Sequence, residues 1–230
     1  MSARTRKLLS PPLAIVSVVV IALAYLLGWS SFFSVKKVEI TGAPTAAVMA
    51  NIEMKSQIEV GQQLARVNPQ SAARKIAKLS WVKDVAISRN WLSGAVTIEI
   101  SPREPLAFFN SDQVLGQTID AEGQLFSLPG YTNPDLAIIS AKSPESALQA
   151  NELFTALPEN FRKNIISMRA TSTNTFTLNS TLEGRDIRIR WGDSQDMALK
   201  ISVINSLLKL PENKKIELID VVAPHAPIVK

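Results

Sequence analysis

The chain has 230 residues, a formal net charge of +5 and no cysteine. Without cysteine it can form neither a disulfide nor a cysteine-ligated zinc site, and it cannot use a cysteine nucleophile. Arg4, Arg6 and Lys7 supply three of the positive charges, so the rest of the chain is close to neutral and lacks the basic excess typical of nucleic-acid-binding proteins.

The first predicted element is an apolar segment near the N-terminus. The 28 residues from Leu8 to Val35 carry no charge, and the part that ends at Trp29 would extend about 33 Å as a helix. This is long enough to cross a bilayer core once. We therefore predict a cytoplasmic tail over 1–12 and a transmembrane helix over 13–33, with the remaining chain outside the cytoplasm.

Residues at the two ends of this segment predict its orientation. The cations that precede it favour a cytoplasmic N-terminus, and Trp29, Phe32 and Phe33 would form an aromatic belt at the outer interface. A cleaved signal peptide is the alternative, because the small residues Ala22 and Ala24 fit a cleavage site. The apolar run continues past that site, which favours a retained anchor.

The next region, 34–105, predicts two helices between strands. Thr45 is a cap for a helix that reaches about Ile58 and is stopped by the following Val-Gly pair. The Asn68-Pro69 pair starts a second helix that reaches about Leu79. The apolar residues expected to face inward from these helices are Val48, Ile52, Ile58, Ala72, Ile76 and Leu79.

Alternation of apolar and polar residues predicts three strands in the same region. The last of these has Thr97 and Glu99 on its outer face, and it follows a turn at Ser93-Gly94. The inward residues of the strands are Val38, Ile40, Val85, Ile87, Val96, Ile98 and Ile100. The element order is therefore strand, helix, helix, strand, strand.

Two motifs in this region resemble the POTRA domain of the FtsQ/DivIB family. They are W-V-K-D-V-A-I-S-R-N-W, Trp81 to Trp91, and V-T-I-E-I-S-P-R-E-P-L-A, Val96 to Ala107. The departures from the family pattern are mild: Ser80 and Leu92 stand where the family usually has proline, and Arg103-Glu104 reverses the common order.

The region 106–230 predicts a β-rich domain, with one antiparallel sheet and helices packed on one of its faces, an α+β arrangement. Ser143-Pro144 opens one helix and Asp193 opens another. The second helix carries a stripe of Met197, Ile201, Ile204 and Leu208. The predicted strands are Leu106–Phe109, Val114–Asp120, Leu136–Ile139, Ile165–Thr171, Thr175–Asn179 and Arg185–Trp191.

The resemblance to the FtsQ/DivIB family continues through this region. Its motifs are the D-x-x-G-x-x-F turn that begins at Asp120, the strand I-R-I-R-W-G-D that begins at Ile187, and the closing segment I-E-L-I-D-V-V-A-P-H-A-P-I-V that begins at Ile216. Each motif is moderately specific, and their shared order makes the likeness strong over nearly the whole chain.

No catalytic, metal or cofactor constellation stands out, so the sequence predicts a non-enzymatic protein without a small-molecule substrate. The single histidine, His225, lies in a proline-rich segment and has no second histidine to complete a triad or a metal site. Ser167-Met168 is similar to the Ser-Met pair of membrane-anchored Ser/Lys peptidases, but it lies in a predicted strand far from the anchor. No glycine-rich phosphate motif is present.

The best candidate for a partner surface is the C-terminal segment. The β-branched run from Ile216 to Val222 is followed by Pro224 and Pro227, which favours an edge strand that can pair with a partner strand. The predicted partner-binding residues are Ile219, Asp220, Val221, Val222, Ala223, Pro224, His225, Ile228 and Val229. Secondary candidates for contact with an acidic partner are Arg185, Arg188 and Arg190.

The resemblance implies a non-enzymatic scaffold of the cell-division machinery. It implies FtsB and FtsL as partners, together with other division proteins of the membrane, and a single-pass location in the bacterial plasma membrane at the division septum. Two alternatives remain open: another POTRA-bearing envelope-assembly or export factor, and a membrane-anchored peptidase that uses Ser167.

Overall fold

The computed structural model describes residues 11–112 and 116–230. These form two compact units, of which the first ends at Pro102 and the second begins at Arg103. Most of the predicted cytoplasmic tail, with its cations, lies outside the described residues. So do Val114 and Leu115, the start of a predicted strand.

The first helix, α1 (Pro11–Trp29), is followed by a short 3₁₀ helix, Ser31–Phe33. Its side chains from Ile15 to Leu26 are exposed. Within the described part of the chain, no helix combines the length and the apolar character needed to cross a membrane.

The rest of the first unit is a three-stranded sheet with two helices. Its strands are β1 (Lys37–Thr41), β2 (Val82–Asn90) and β3 (Ala95–Pro102), and its helices are α2 (Ala46–Ser56) and α3 (Pro69–Ile76). β3 lies in the centre, parallel to β1 and antiparallel to β2. The predicted order of strand, helix, helix, strand, strand is confirmed.

Both predicted helix caps are present. The Thr45 hydroxyl accepts a hydrogen bond from the Val48 N–H at 3.3 Å, and the Asn68 side chain accepts one from the Ser71 N–H at 3.0 Å. The predicted helix ends were wrong. α2 stops before Gln57, which adopts a left-handed conformation with φ of 56°. α3 stops at Ile76, and Leu79 lies half-buried beyond it.

Within its described residues, the second unit contains one nine-stranded sheet and three α-helices. The sheet order is β12-β11-β10-β9-β8-β7-β4-β5-β6. The helices are α4 (Pro144–Ala156), α5 (Glu159–Arg162) and α6 (Met197–Leu208). The strands are β4 (Ala107–Asn110), β5 (Gln117–Ile119), β6 (Leu125–Phe126), β7 (Ile138–Ala141), β8 (Ile165–Ser172), β9 (Thr175–Leu182), β10 (Arg185–Gly192), β11 (Leu218–Asp220) and β12 (Ile228–Val229).

The α+β class is confirmed, but the prediction of an antiparallel sheet was wrong because the sheet is mixed. β7 is parallel to both β4 and β8, and β10 is parallel to β11. The cause lies in the connections: α4 and α5 link β7 to β8, and α6 links β10 to β11. A crossover helix between neighbouring strands is typical of parallel pairs, which accounts for the β7–β8 and β10–β11 pairs.

The predicted D-x-x-G-x-x-F motif forms the turn between β5 and β6. The Asp120 carboxylate accepts hydrogen bonds from the N–H groups of Glu122 (3.1 Å) and Gln124 (2.8 Å) and pairs with the Arg103 guanidinium at 2.6 Å. Burial opposes ionisation of this carboxylate, but the Gln124 N–H and the Arg103 cation outweigh burial and lower the pKa of Asp120 below its usual value.

The predicted start of the last helix was wrong. Asp193 precedes α6, which begins at Met197 after Asp196 adopts a left-handed conformation. The Asp193 carboxylate instead accepts a hydrogen bond at 2.9 Å from the ammonium of Lys200, a fully buried lysine over the Trp191 ring. The Lys200 hydrogen bond lowers the pKa of Asp193, and the pair fixes the connection from β10 to α6.

Candidate partner-binding site

The predicted edge is occupied by a different strand from the one expected. β11, which comes from the run Ile216 to Val222, lies between β10 and β12, so the prediction that this run forms the edge was wrong. The chain turns back after Val222 and adds the two-residue strand β12 on the outside. The Pro224 and Pro227 pair belongs to this turn, where the missing N–H groups cost no ladder hydrogen bond.

Backbone hydrogen bonds define which groups of β12 face outward. Lys230 and Leu218 exchange two hydrogen bonds, with N···O distances of 3.0 Å in both directions. In an antiparallel ladder such pairs alternate with pairs whose backbone groups point away from each other. The next pair is Val229 with Ile219, so the N–H and C=O of Val229 point away from β11, toward the open side of the edge.

Side chains of the terminal segment divide between two faces. Ile219 and Val221 are fully buried, and Val229 packs partly against the same core. Val222 and Ile228 are 51% and 56% exposed. A partner strand beside β12 would therefore meet the exposed apolar side chain of Ile228 on the outer face of the sheet.

Val222 is held in place by contacts within the turn. Its N–H donates a hydrogen bond of 3.1 Å to the Asp220 carboxylate. Its side chain lies over Gly192, where an added Cβ would be 3.2 Å from a Val222 methyl and where φ is +74°. Any other residue at position 192 would be strained in this backbone conformation and would crowd Val222. Because the Val222 N–H donates to the Asp220 carboxylate, it is not available to a partner strand.

Charged residues lie on the same outer face of the sheet, on the strands that follow β12 toward its centre. Asp220 pairs with Arg190 at 2.7 Å, and Arg190 lies across β9 from Arg169 by way of Thr177. Arg188 is exposed on the same face. Arg169 was missed by sequence reasoning. In β8 it lies on the face opposite the buried Met168 and Ala170, and the β8–β9 register brings it into this row.

Arg185, the third predicted arginine, does not share this face. Alternation along β10 puts it on the side of Ile187, and its guanidinium donates to the Asn213 carbonyl and pairs with Glu183, both at 2.9 Å. The arginines that the structure brings together on the outer face are therefore Arg169, Arg188 and Arg190.

Ser167 and His225 are the remaining residues that the sequence singled out. The Ser167 hydroxyl accepts a hydrogen bond of 3.0 Å from the Asn179 amide, and the buried ammonium of Lys200 is bound to Asp193. His225 is exposed in the turn before β12. No group of three or more histidine, cysteine or acidic residues that could hold a metal ion occurs within residues 11–112 and 116–230.

Comparison with known families finds a match to each unit. A family model for the FtsQ-type POTRA domain matches residues 33–103. A second model, for the C-terminal region of the cell division proteins FtsQ/DivIB, matches residues 107–221, which is half of the chain. Since both models are of the same family type, they disfavour a different POTRA-bearing export factor.

Curated relatives carry the same description, cell division protein FtsQ. The protein of Corynebacterium glutamicum is 34% identical over 119 residues, 49% of this chain and 51% of the relative. That of Salinibacter ruber is 28% identical over 147 residues, 58% and 56% of the two chains. That of Streptomyces griseus is 24% identical over 212 residues, 87% and 98%. The match thus spans about half the length of the first two relatives and nearly all of the third.

Proposed function

The chain belongs to the FtsQ/DivIB family of cell-division proteins, and from this premise we propose that it is a non-enzymatic scaffold that recruits FtsB and FtsL. In this role it links early and late division proteins at the septum. Its action is assembly: one surface binds a partner, and a membrane anchor keeps the complex at the membrane.

The observation that carries the proposal is the open edge of the nine-stranded sheet. β12 is short, it pairs on one side only, and Val229 directs its N–H and C=O to the open side. Extended peptides bind such edges through main-chain hydrogen bonds, with pockets for alternate side chains. FtsB would add a strand beside β12 and cover the exposed side chain of Ile228.

The arginine row offers a second contact for the same partner. The exposed guanidinium of Arg188 and the half-paired Arg190 lie on the face that an added strand would border. An acidic residue that followed the added strand could bind there, because desolvation by the partner strengthens a charge pair. The arginines would then contribute specificity, whereas the edge would contribute most of the binding.

The membrane anchor is part of the proposal. The segment Leu8 to Val35 carries no charge, and it begins in residues outside those described, before α1. A lipid phase would also cover the apolar side chains that α1 exposes, such as Ile15 and Ile21. The N-terminal cations favour a cytoplasmic tail and an extracytoplasmic body.

The function is tested by affinity capture with the full chain in membranes. The tagged chain should retain FtsB and FtsL, whereas a chain that lacks both partners after gentle extraction would contradict the scaffold role. Labelling by an acyl-type inhibitor that is lost in Ser167→Ala would instead support the peptidase. Capture therefore separates the two classes of function, since a scaffold needs no reactive serine.

Topology is tested with a reporter fused after Lys230. It should be active only outside the cytoplasm, and the chain should resist extraction from membranes at high pH. A mature chain that begins at Tyr25 would show cleavage of a signal peptide and contradict the anchor.

A further inference from the structure

The β2–β3 hairpin of the first unit carries apolar side chains at its tip, where polar residues are usual. Leu92 is 92% exposed and Trp91 is 36% exposed. The Asn90 side chain accepts hydrogen bonds of 3.0 Å from the N–H groups of both Leu92 and Ser93, which fixes the turn. Leu92 is therefore held outward by a defined turn, and no side chain of the described residues buries it.

This hairpin is tied to the chain that leaves α1. The Lys36 N–H donates to the Gly94 carbonyl at 2.8 Å. Gly94 has φ of +75°, and a Cβ there would lie 2.8 Å from the Ser34 carbonyl oxygen. Only glycine permits this contact. The tip of the hairpin is consequently fixed close to the outer end of α1.

Aromatic rings join the two segments into one surface. The Phe33 and Trp91 rings meet edge to face with centroids 6.3 Å apart, and Phe32, itself 69% exposed, meets Phe33 at 5.1 Å. The Arg89 guanidinium lies over the Trp91 ring and donates to the carbonyls of Leu64 and Val67 at 3.0 and 2.8 Å. These contacts hold the Trp91 ring against Phe33, which in turn meets the exposed Phe32.

We infer that Phe32, Trp91 and Leu92 form a second membrane contact, which lies in the interfacial layer of the bilayer that holds the anchor. Tryptophan and phenylalanine are favoured in this layer, and leucine gains from burial in the acyl boundary. Lys36, whose ammonium lies 6.0 Å from the Phe32 ring centroid, is exposed beside this surface and can bind a lipid phosphate. The inference rests on the proposed anchor.

The contact would orient the first unit against the membrane. A single anchor allows the body to rotate and tilt, whereas a second contact at a fixed distance from the end of α1 removes much of this freedom. The first unit would then meet membrane-anchored partners from a restricted set of orientations, so its binding to them would need less ordering.

The test uses the full chain in liposomes and exploits the absence of cysteine. Leu92→Cys is labelled with an environment-sensitive fluorophore, and quenching by lipids brominated in the acyl chains is measured. Ser101→Cys is the matched control, because this exposed residue lies at the other end of β3 from the hairpin, about 20 Å along the strand. Ala22→Cys in α1 reports the anchor itself.

We expect strong quenching at positions 22 and 92 and little at position 101. Quenching at 22 with equally weak quenching at 92 and 101 would overturn the membrane contact and leave the anchor intact. Absence of quenching at all three positions would overturn both. A probe at 92 that lipid does not quench, but that crosslinks to another membrane protein in cells, would assign the surface to a protein partner and overturn the lipid contact.

Discussion

Strands β3 and β12 show two opposite uses of a strand in this molecule. β3 has eight residues, pairs with β1 on one side and β2 on the other, and buries Val96 and Ile98 completely. β12 has two residues, pairs only with β11, and leaves Ile228 exposed. A strand that is paired on both sides stabilises its unit, whereas a strand with a free side has hydrogen-bonding groups left for a partner.

The largest effect is expected at the centre of β3. Ile98→Asp should unfold the first unit, because an unpaired charge in a filled core costs several kcal/mol. Thr97→Ala, on the other face of the same strand, should cost less than about 1 kcal/mol. Hydrogen exchange of the full chain measures this residue by residue: Ile98→Asp should remove protection from β1 to β3. Equal loss in the two variants would contradict the assigned faces of β3.

The two aspartate–arginine pairs of the second unit also compare a buried position with one at the open edge. The Asp120 side chain is 3% exposed and pairs with Arg103, whereas the Asp220 pair includes an Arg190 side chain that is 59% exposed. Asp120→Asn should lower the free energy of unfolding by about 2 kcal/mol, since it removes charge-assisted hydrogen bonds. Asp220→Asn should lower it by less than about 1 kcal/mol. Denaturant unfolding compares them, and a larger loss for Asp220→Asn would contradict the contrast.

The Asp120 pair also predicts how stability depends on pH. Its pKa is lowered in the folded chain, so the unfolded chain binds the proton more tightly. The contribution of Asp120 is therefore complete above the unfolded pKa of about 3.9 and is lost as pH falls through the lower, folded value. Acid unfolding of Asp120→Asn should have a shallower pH dependence in this window. An unchanged dependence would mean that other carboxylates dominate acid unfolding.

Local patterns in the sequence predicted the first unit well. The caps at Thr45 and Asn68, the alternation through Ile98 and the turn at Gly94 each depend on a few neighbouring residues, and all are present. The helix ends were missed because each depends on the backbone conformation of a single residue. Gln57, for example, is left-handed, and glutamine does not predict this conformation.

Long-range pairing in the second unit could not be predicted in the same way. The segment Ile216 to Val222 reads as a strand, but nothing local shows that Ile228 and Val229 return to cover it. Lys200 lies within an apolar stripe of α6, where a lysine is usually solvated, and only its packing against Trp191 and Asp193 explains its burial. The position of Arg169 across β9 from Arg190 depends on the register of β8, β9 and β10, which the local sequence does not show.

The smallest expected effect on stability belongs to the most informative position of the edge. Truncation after Asp220 would also remove the buried Val221, and Val222→Pro would remove an internal hydrogen bond, so both changes would disturb the fold. Val229→Pro avoids this, because the Val229 N–H points away from β11. Val229→Ala is the matched control, since it shortens the side chain and keeps the N–H.

The most direct measurement is the affinity of FtsB for these two variants of the full chain in membranes. We predict that Val229→Pro loses FtsB binding while hydrogen exchange at Leu218 and Lys230 stays protected, and that Val229→Ala still binds. If Val229→Pro keeps this protection and binds FtsB as tightly as the unchanged chain, β12 is not the partner edge, and the proposal of strand addition at this edge is contradicted.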